Sequence, residues 1–273
     1  MAKLIRPILS IIIPSWNTSQ ITLNCLKSII KYLPPASTEI IVVDNASSDD
    51  TVSKIKRLKS VPWRIKIKVN SRNLGYSIAC NQGASLSSGD YFLFLNSDTE
   101  FVDATIFNLI NFLARRPSLG VVGPQLLNLD FTPQGSVFPP QTPINAFREF
   151  ILGRKSYSKY FPKSLRPSAV WALSGTAILV SRPFFNQLGG WNEKYFMYFE
   201  DMDFCRRVRQ QNKFIYYYPL CRLLHHHGAS GRSLGSSQYQ WYRLIRGSIT
   251  YHGYFRHYLL NLIIWLGQKL RCR

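Results

Sequence analysis

The stretch ILSIIIP, residues Ile8–Pro14, is an almost continuous apolar run near the start of the chain. Runs of this kind are typical of a strand that is buried on both faces, as in a parallel sheet. A helix is predicted to follow over Ile21–Tyr32, capped by Thr18 or Ser19 and ended by the proline pair that begins at Pro34. A buried strand followed by a helix is the repeating unit of an α/β fold.

The same alternation of strand and helix continues to residue 114. Because parallel strands joined by helices require right-handed crossovers, the pattern predicts an open α/β sheet flanked by helices. The predicted strands are Glu39–Asp44, Ile65–Val69 and Tyr91–Leu95, and the predicted helices are Ser47–Leu58, Tyr76–Ala84 and Asp103–Ala114.

Small polar residues stand just beyond the carboxyl ends of these strands. Open α/β sheets bind ligands at this edge, so we interpret the residues as a binding site, although Asn, Asp and Gly also favour turns. The sets are Pro14, Ser15 and Asn17 after the first strand, Asp44 and Asn45 at the second, Arg72 and Asn73 beyond the third, and Asn96, Ser97 and Asp98 after the fourth.

The second half of the chain has a less regular pattern. From Val121 to Pro167 no period is sustained, which predicts a long connection that covers the open side of the sheet. Strands are predicted again at Trp171–Val180 and Lys213–Tyr218. Regular structure is therefore expected on either side of an acidic segment that lies between these two strands.

This acidic segment, YFEDMDFCRR at residues 198–207, places three carboxylates within four positions of a chain that has few acids. Mutual repulsion and burial would raise the pKa of Glu200, Asp201 or Asp203, as suits a general base or a metal-bound diphosphate site. Alternatively, the acids only begin a helix, with Asp203 paired to Arg206 or Arg207 one turn later. The segment alone leaves both interpretations open.

Charge is strongly unbalanced over the whole chain. Its 273 residues include 34 Lys and Arg against 14 Asp and Glu, a formal net charge of +20. A basic surface attracts nucleic acid, anionic lipid or phosphorylated substrates, and charge does not choose among them. The sequence lacks the glycine-rich dinucleotide and P-loop motifs, H-E-x-x-H and G-x-S-x-G. Dinucleotide enzymes, P-loop kinases, zincins and α/β-hydrolases are therefore disfavoured.

Cysteine usage and the N-terminal run bear on the cellular compartment. The five cysteines are widely spaced and form no C-x-x-C pair, so neither a zinc site nor a disulfide framework is predicted. The N-terminal apolar run is short and lacks a small-residue cleavage site, which is not typical of a signal peptide. We expect a reducing, cytoplasmic compartment.

The C-terminal segment, residues 236–273, mixes basic, aromatic and aliphatic residues and contains no acid. This pattern predicts a basic amphipathic helical tail that lies on an anionic membrane surface. A helix docked on the domain's own surface and a dimer contact are the alternatives. No apolar run here reaches the ~20 residues that span a bilayer.

Together with the strand ends, a set of ordered motifs makes the chain resemble glycosyltransferase family 2. Within that family it resembles the bacterial rhamnosyltransferase-like branch, which acts in surface polysaccharide assembly. The resemblance runs from about Ser10 to Ser230, and the ordered set is specific although each piece is weak. The segments are SIIIPSWN at 10–17, IVVDNASSDDT at 41–51, NLGYSIACN at 73–81, FLNSDT at 94–99, SGTA at 174–177, GGWNEKYFMYFEDMD at 189–203 and HHHG at 225–228.

The resemblance implies a GT-A fold, a Rossmann-like open mixed sheet flanked by helices, over residues 1–235. Residues 1–117 would form the nucleotide-binding half and residues 118–235 the acceptor and catalytic half, with the tail over residues 236–273.

The resemblance also implies a set of donor contacts. Asp44 would take the nucleobase N–H, and residues near the nucleoside and its phosphates would complete the site. Those residues are Pro14, Ser15 and Asn17 beside the nucleoside, Arg72 and Asn73 near the nucleotide or its phosphates, and Asn45, Asn96, Ser97, Asp98 and Gly175 in the rest of the donor-binding set.

A divalent metal, Mg²⁺ or Mn²⁺, is implied as well, held by Asp98 on the donor diphosphate. The chain departs here from the family's D-x-D, because the first position is Asn96; N-x-D is familiar in the rhamnosyltransferase-like branch. Position indicates His225 as a further ligand, although the His triplet would also suit a structural turn. A hard cation stabilises the charge that develops on the leaving phosphates.

Asp201 matches the family's catalytic base, with Glu200 and Asp203 as neighbours that raise its basicity or orient the acceptor. Transfer needs one base to take the proton of the acceptor hydroxyl, typically worth ~10²–10⁴ in rate. A glycosidase would need a second carboxyl that acts as an acid.

The implied function is inverting transfer of a sugar to a lipid-linked or polysaccharide acceptor, by an enzyme that lies peripherally on the inner face of the cytoplasmic membrane. dTDP-rhamnose is the first-choice donor, and UDP-hexoses or UDP-N-acetylhexosamines are the alternative. A nucleic-acid-binding module would leave the acids unexplained, so no nucleic-acid partner is expected. A catalytically inactive membrane scaffold stays open because of Asn96.

Overall fold

A computed structural model describes residues 7–58, 63–226 and 237–271 of the chain. The first half alternates strand and helix as the apolar pattern predicts. Its elements are β1 (Leu9–Ser15), α1 (Ser19–Tyr32), β2 (Thr38–Asp44), α2 (Thr51–Arg57), β3 (Arg64–Val69), α3 (Tyr76–Leu86) and β4 (Tyr91–Leu95).

These four strands are parallel and lie in the order β3-β2-β1-β4. Ser15 pairs with Asp44, and Asp44 pairs with Val69, so three strands end at the same level of the sheet. One prediction is wrong in its boundary, because α2 begins at Thr51 rather than at Ser47. Ala46 has a positive φ of 62°, and the Ser47 amide donates to Asp44 Oδ2 at 2.8 Å, so the chain turns before the helix starts.

The second half adds strands to the same sheet. Its elements are β5 (Thr99–Phe101), α4 (Ile106–Ala114), β6 (Leu119–Leu127), β7 (Pro133–Gln134), β8 (Val137–Phe138), α5 (Pro143–Phe150), β9 (Ser168–Ala169), β10 (Ala172–Leu173), β11 (Ala177–Ser181), α6 (Arg182–Gln187), α7 (Glu200–Gln210) and β12 (Phe214–His225). In the described residues, ten strands form one mixed sheet whose main order is β3-β2-β1-β4-β11-β6-β12-β5. The proposed halves at residues 1–117 and 118–235 therefore share one sheet.

The prediction of an irregular connection from Val121 to Pro167 is wrong. Strand β6 lies inside the sheet between β11 and β12, and α5 follows with Thr142 as a side-chain cap at its start. The apolar pattern of β6 is interrupted by Gly120, Gly123 and Pro124, so an analysis of hydrophobic periodicity does not detect this strand. Gly123 is closely packed, because a Cβ there would stand 2.9 Å from the Leu173 side chain and 3.2 Å from the Ala177 carbonyl oxygen.

Two hydrophobic clusters cover the two faces of the sheet. One contains the buried side of α1 and α4, and the other packs α3, α6 and α7 against β4 and β11. In the second cluster Trp191 stacks on Phe204 with ring centroids 4.5 Å apart, and Phe94 meets Trp191 edge-on at 5.2 Å. The acidic segment is thereby fixed to the sheet by the aromatic core beneath it.

The C-terminal segment is helical, as predicted, and its helices dock on the domain. Helix α8 (Ser237–His252) and helix α9 (Tyr254–Arg271) are separated by Gly253, whose φ is +78°. Arg206 Nη1 donates to the carbonyl of Tyr251 at 3.2 Å, and α9 packs on α5 so closely that a Cβ on Gly267 would lie 2.4 Å from the Phe150 carbonyl.

The inner faces of α8 and α9 thus follow the docked-helix alternative, while aromatic side chains stay exposed on their outer faces. The predicted boundary between residues 235 and 236 falls outside the described residues. Among the described residues, no helix is both long and apolar enough to span a bilayer.

Candidate active site

A cleft opens at the carboxyl ends of β1, β2 and β4 and encloses about 540 Å³ of empty space, part of it open to solvent. Its wall brings together six of the residues predicted to bind the donor. They are Pro14, Ser15, Asn45, Asn73, Asn96 and Ser97. Trp16, Tyr76, Phe196 and Met197 also line this cleft, and the sequence analysis did not assign them to the site.

Hydroxyl groups form a bonded floor beneath the cleft. Ser15 Oγ lies 3.1 Å from Thr18 Oγ1 and 3.0 Å from Thr22 Oγ1, and Thr18 Oγ1 lies 3.3 Å from Ser97 Oγ. These contacts join the end of β1 to the end of β4 through the first turn of α1. Thr18 precedes α1 as expected, but its hydroxyl bonds this network rather than capping the helix.

Asp44 and Asn17 lie behind the cleft wall. Asp44 is fully buried, and Ser47 donates to both of its carboxylate oxygens, through the amide at 2.8 Å and the hydroxyl at 2.5 Å. Asn17 adopts a positive φ of 51° and accepts from the Ser48 amide at 2.7 Å. Both residues shape the loop after β2, and Arg72 is exposed outside the residues that line the cleft. Their predicted donor contacts stay predictions.

The loop before α7 closes one side of the cleft. The Tyr76 amide donates to the Phe196 carbonyl at 2.7 Å. Gly75 has a φ of +86°, and a Cβ there would stand 2.4 Å from the same carbonyl oxygen. Only glycine fits this position without strain, since a side chain would collide with the Phe196 backbone. The segment at residues 73–81 and the segment at residues 189–203 are thus in direct contact.

Asp201 lies next to the cleft and is held by two backbone amides. The Gly175 amide donates to Oδ2 at 2.9 Å, and the Met202 amide donates to Oδ1 at 2.7 Å. The Tyr76 hydroxyl donates to the Gly175 carbonyl at 2.7 Å, which connects a cleft residue to the Asp201 support. Burial raises the pKa of Asp201 against the opposing effect of the Gly175 and Met202 amides.

Glu200 is buried beside Asp201. Burial and, after it, the charge of Asp201 raise the pKa of Glu200. Its Oε2 has no hydrogen-bond partner among the described residues. Tyr198 and Phe199, which precede it, adopt φ values of 72° and 67°. Two successive left-handed residues without glycine are costly, so the backbone at the start of α7 is strained where the two acids are presented.

Asp203 has a different environment. Arg206 Nη2 donates to its Oδ1 at 2.5 Å, and Arg207 Nε donates to its Oδ2 at 2.9 Å. Arg207 also donates through Nη1 to the Gly190 carbonyl at 2.7 Å, so this pair fixes the glycine turn before Trp191. The interpretation as a helix start with an acid–arginine pair therefore holds for Asp203. Among the described residues, no such pair with arginine is found for Glu200 or Asp201.

Lys159 is a charged neighbour of Asp201 that the sequence analysis did not assign to the site. Burial lowers the pKa of Lys159, and the charge of Asp201 opposes this effect. The Lys159 charge in turn lowers the pKa of Asp201. The two groups thus act on each other from α7 and from the loop after α5.

Asp98, which follows the cleft residue Ser97, meets His225. His225 Nε2 lies 3.4 Å from Asp98 Oδ1, and both side chains are almost completely buried. His225 Nδ1 lies 2.6 Å from the Gln134 amide oxygen, whose own amide nitrogen donates to Asn128 Oδ1 at 2.9 Å. Since an amide oxygen only accepts, Nδ1 donates to Gln134, and Nε2 is the ring nitrogen that faces the Asp98 carboxylate.

This arrangement fits a divalent cation. A carboxylate oxygen and the bare nitrogen of a neutral imidazole are both metal ligands, and a hydrogen bond from the other ring nitrogen is the usual support of a metal-bound histidine. No group of three His, Cys, Asp or Glu side chains that could hold a metal is found among residues 7–58, 63–226 and 237–271. Asp98 and His225 would therefore supply part of a coordination shell that the donor phosphates complete.

His226 differs from its neighbour in both position and partner. Its Nε2 lies 2.8 Å from Glu100 Oε1, and its backbone amide donates to the Asp98 carbonyl at 2.8 Å. His226 is about a quarter exposed, whereas His225 is 5% exposed. His227, the third member of the triplet, lies outside the described residues.

Comparison with known families identifies the chain. The model of the family described as Glycosyl transferase family 2 matches residues 10–167, which is more than half of the 273 residues. The chain belongs to glycosyl transferase family 2. The resemblance inferred from the ordered motifs is confirmed, and so is the expected GT-A architecture.

Characterised and uncharacterised relatives of this family 2 chain cover different shares of it. An N-acetylglucosaminyl-diphospho-decaprenol L-rhamnosyltransferase of Mycobacterium tuberculosis is 31% identical over 210 residues, 68% of this chain and 66% of that protein. An uncharacterised protein of Sinorhizobium fredii is 26% identical over 82% of this chain. The chain spans only a quarter of the length of that protein and about two thirds of the mycobacterial one.

Solved structures of other transferases share the fold of this family 2 chain. The mannosyltransferase PcManGT from Pyrobaculum calidifontis, in complex with GDP-Man and Mn²⁺, has a TM-score of 0.62 and 17% identity, covering 96% of this chain and 70% of that one. GalNAc-T7 with UDP, GalNAc and Mn²⁺ has a TM-score of 0.65 and 17% identity, covering 81% and 44%. At this identity the likeness establishes the fold alone.

Proposed function

We infer that the chain is an inverting, metal-dependent glycosyltransferase that moves a sugar from a nucleoside-diphosphate donor to a lipid-linked saccharide in cell-surface glycan synthesis. One observation carries the proposal. The partly buried Asp201 carboxylate is held by Gly175, and Gly175 is bonded to Tyr76 in the wall of the strand-end cleft. A base of raised pKa next to a polar cleft at the strand ends is what such a transfer requires.

In the proposed reaction the acceptor hydroxyl oxygen attacks the anomeric carbon of the donor sugar. The new carbon–oxygen bond forms as the bond between that carbon and the donor phosphate breaks, and the nucleoside diphosphate leaves with the electron pair. Asp201 takes the proton of the attacking hydroxyl. Asp98 and His225 would hold the divalent cation, which neutralises charge on the leaving phosphates when bound.

dTDP-rhamnose is the proposed donor. The relative named as a rhamnosyltransferase is 31% identical to the chain, and that name supports both the sugar and an acceptor of the N-acetylglucosaminyl-diphospho-polyprenol class. The alternative is a UDP-hexose or UDP-N-acetylhexosamine, and the name of a Haloferax volcanii relative supports transfer of a hexose. It is named a low-salt glycan biosynthesis hexosyltransferase and is 29% identical over 64% of this chain.

Peripheral membrane association on the cytoplasmic side is proposed together with this acceptor. Helix α9 exposes one continuous apolar stripe at helical spacing, formed by Phe255, Tyr258, Leu262, Trp265 and Leu266. The opposite face is docked on α5 through Gly267. Such a stripe, next to exposed basic residues and free of acids, suits the interface of an anionic bilayer.

The experiment that tests the proposed activity replaces Asp201. In D201N the amide oxygen can still accept from the Gly175 amide while the bond from the Met202 amide is lost, so the base is removed with one of its two backbone contacts. With dTDP-rhamnose and a short-chain N-acetylglucosaminyl-diphospho-lipid, transfer should fall by ~10²–10⁴. Nucleotide binding should persist, and the exposed control D130N should transfer like wild type. Substantial turnover by D201N would remove Asp201 from the role of base.

A further inference from the structure

A second and larger cavity lies beside the candidate active site, on the loop that follows α5. It encloses about 1500 Å³ of empty space, part of it open to solvent. Three lysines line it, Lys155, Lys159 and Lys163, with one acid, Glu149. We call it the lysine cavity. Three cations around one concave surface select an anionic ligand.

The single acid in this wall is committed to holding the loop. Glu149 Oε2 accepts from the amides of Ser156 at 2.7 Å, Tyr157 at 2.6 Å and Ser158 at 3.0 Å. Burial alone would raise the pKa of Glu149, but the Ser158 hydroxyl and these amides lower it to about 2. The carboxylate therefore stays ionised and bonded to backbone, and the loop that carries the lysines is fixed in place.

The lysine cavity lies next to both the proposed base and a proposed metal ligand of the candidate active site. The charges of Lys159 and of Asp201, the proposed base, each affect the pKa of the other group. Gln134, which also lines the cavity, accepts from His225 Nδ1 at 2.6 Å. A ligand in this cavity is thus within one residue of the base on one side and of the proposed metal ligand on the other.

Apolar surface adjoins the same cavity. Helix α5 ends at Phe150, directly before the loop that carries the lysines, and its outer face exposes Ile144 and Phe147. Leu152 and Leu165, in the connected loop, are 53% and 84% exposed. Helix α9, with its exposed apolar stripe, packs against α5. Cationic groups set beside a broad apolar surface match an amphiphile whose anionic head is attached to a hydrocarbon chain.

We propose that the lysine cavity binds the phosphate groups of a lipid-diphosphate acceptor, with the hydrocarbon chain lying along α5 and α9. The inference rests on the proposed transferase function and assigns the acceptor side of it. Lys155 and Lys163 would bond the phosphate oxygens, and Lys159 would lie between the diphosphate and Asp201. The sugar attached to the diphosphate would then reach the base.

Titration calorimetry with the full chain and farnesyl diphosphate tests the proposal without any sugar transfer. The test variant is K155Q/K163Q, and the matched control is K56Q/R115Q, which removes the same charge from exposed positions on α2 and at the end of α4. Wild type and control should bind the probe equally. The test variant should bind at least roughly tenfold more weakly, because each lysine makes a charge-assisted bond to phosphate.

Three results would overturn the proposal. The first is equal binding by all three proteins. The second is displacement of farnesyl diphosphate by saturating dTDP with Mn²⁺, which would place the probe in the donor cleft. The third is equal affinity for inorganic pyrophosphate, which would identify a site for free phosphate rather than for a lipid. Tighter binding of farnesyl diphosphate, undisplaced by nucleotide, supports the lipid assignment.

Failure of the proposed function has a different signature. Sugar transfer is measured separately, with the wild-type protein, a nucleotide-sugar donor and a lipid-linked acceptor. Farnesyl diphosphate bound by a protein that transfers no sugar would overturn the transferase assignment and the acceptor role of the cavity, leaving only its lipid-diphosphate affinity.

Discussion

Two adjacent carboxylates at the start of α7 have separate uses. Asp201 accepts hydrogen bonds from two backbone amides, one of them the Gly175 amide. Glu200 is buried, and its Oε2 has no hydrogen-bond partner among the described residues. Burying a charge without a partner is costly, so Glu200 destabilises the folded state when ionised. Residues that lower stability in this way are common in functional sites that use a carboxyl group with a shifted pKa.

The pH dependence of stability tests this environment. The pKa of Glu200 is raised above its ordinary value of 4.5, so the folded state binds more protons than the unfolded chain above that pH. The contribution of Glu200 to the free energy of unfolding is greatest at acidic pH. It is lost as the pH rises through the pKa that Glu200 has in the folded state. E200Q removes the effect, and its melting temperature should exceed that of wild type by about 2–4 °C at pH 8 for each ~1 kcal/mol regained.

The gain should shrink as the pH falls towards 5, because Glu200 is then protonated in wild type as well. The exposed neighbour Glu193 provides the control, since E193Q should melt like wild type at both pH values. Differential scanning fluorimetry at pH 5 and pH 8 makes the comparison. A gain for E200Q that does not change with pH would contradict the assigned burial.

Some site residues were accessible to sequence reasoning and others were not. The strand ends yielded Ser15, Asn45 and Ser97 because parallel strands finish level with one another. No sequence pattern indicated Gln134 as a site residue, because a lone glutamine in an irregular stretch does not predict a functional role. Lys159 was not predicted either, because its approach to Asp201 depends on how Glu149 holds the loop that carries it.

At the level of elements, the turn before α3 fits closely against the loop before α7. Gly75 combines a φ of +86° with a backbone neighbour 2.4 Å from the position of a Cβ. Because the obstructing atom is the Phe196 carbonyl oxygen, no rotamer change relieves the clash. This contact holds Phe196 and Met197 in the cleft wall.

Substitution of Gly75 should therefore affect the cleft and the fold together. G75A is expected to cost ~1–3 kcal/mol, from the left-handed φ and the displaced loop, and to weaken nucleotide binding. Gly153 is the matched control, since its φ of +72° is similar and nothing lies within 4 Å of its Cβ position. G153A should lose some stability while binding nucleotide normally. Chemical denaturation and nucleotide titration of both variants would show whether the loop contact matters.

Strand β6 shows where pattern reasoning fails. Its sequence LGVVGPQLL carries two glycines and a proline within nine residues, which is typical of a loop. The structure instead places it between β11 and β12 because β12 pairs with it along most of its length. Long-range pairing decided this element, whereas β1 to β4 were predictable because each is a short apolar run bounded by turn signals.

For the molecule as a whole, the outer face of the C-terminal helices governs the expected association with membranes. Wild type should float with anionic vesicles and less with zwitterionic ones, because apolar and basic groups act together. F255S/W265S should reduce recovery several-fold. The control F131S/F214S removes two exposed aromatics from other elements and should float like wild type. Flotation that is indifferent to anionic lipid would contradict the proposed membrane surface.

The central claim is that the strand-end cleft binds a nucleoside diphosphate with a divalent metal held by Asp98 and His225. A thermal-shift panel of UDP, dTDP, GDP and CMP, with and without Mn²⁺, tests it before any acceptor is known. Ligand at 100 times its dissociation constant adds ~2.7 kcal/mol, a shift of roughly 5–10 °C. We predict a Mn²⁺-dependent shift with dTDP or UDP that H225A loses and H226A keeps. No shift with any nucleotide would contradict the account.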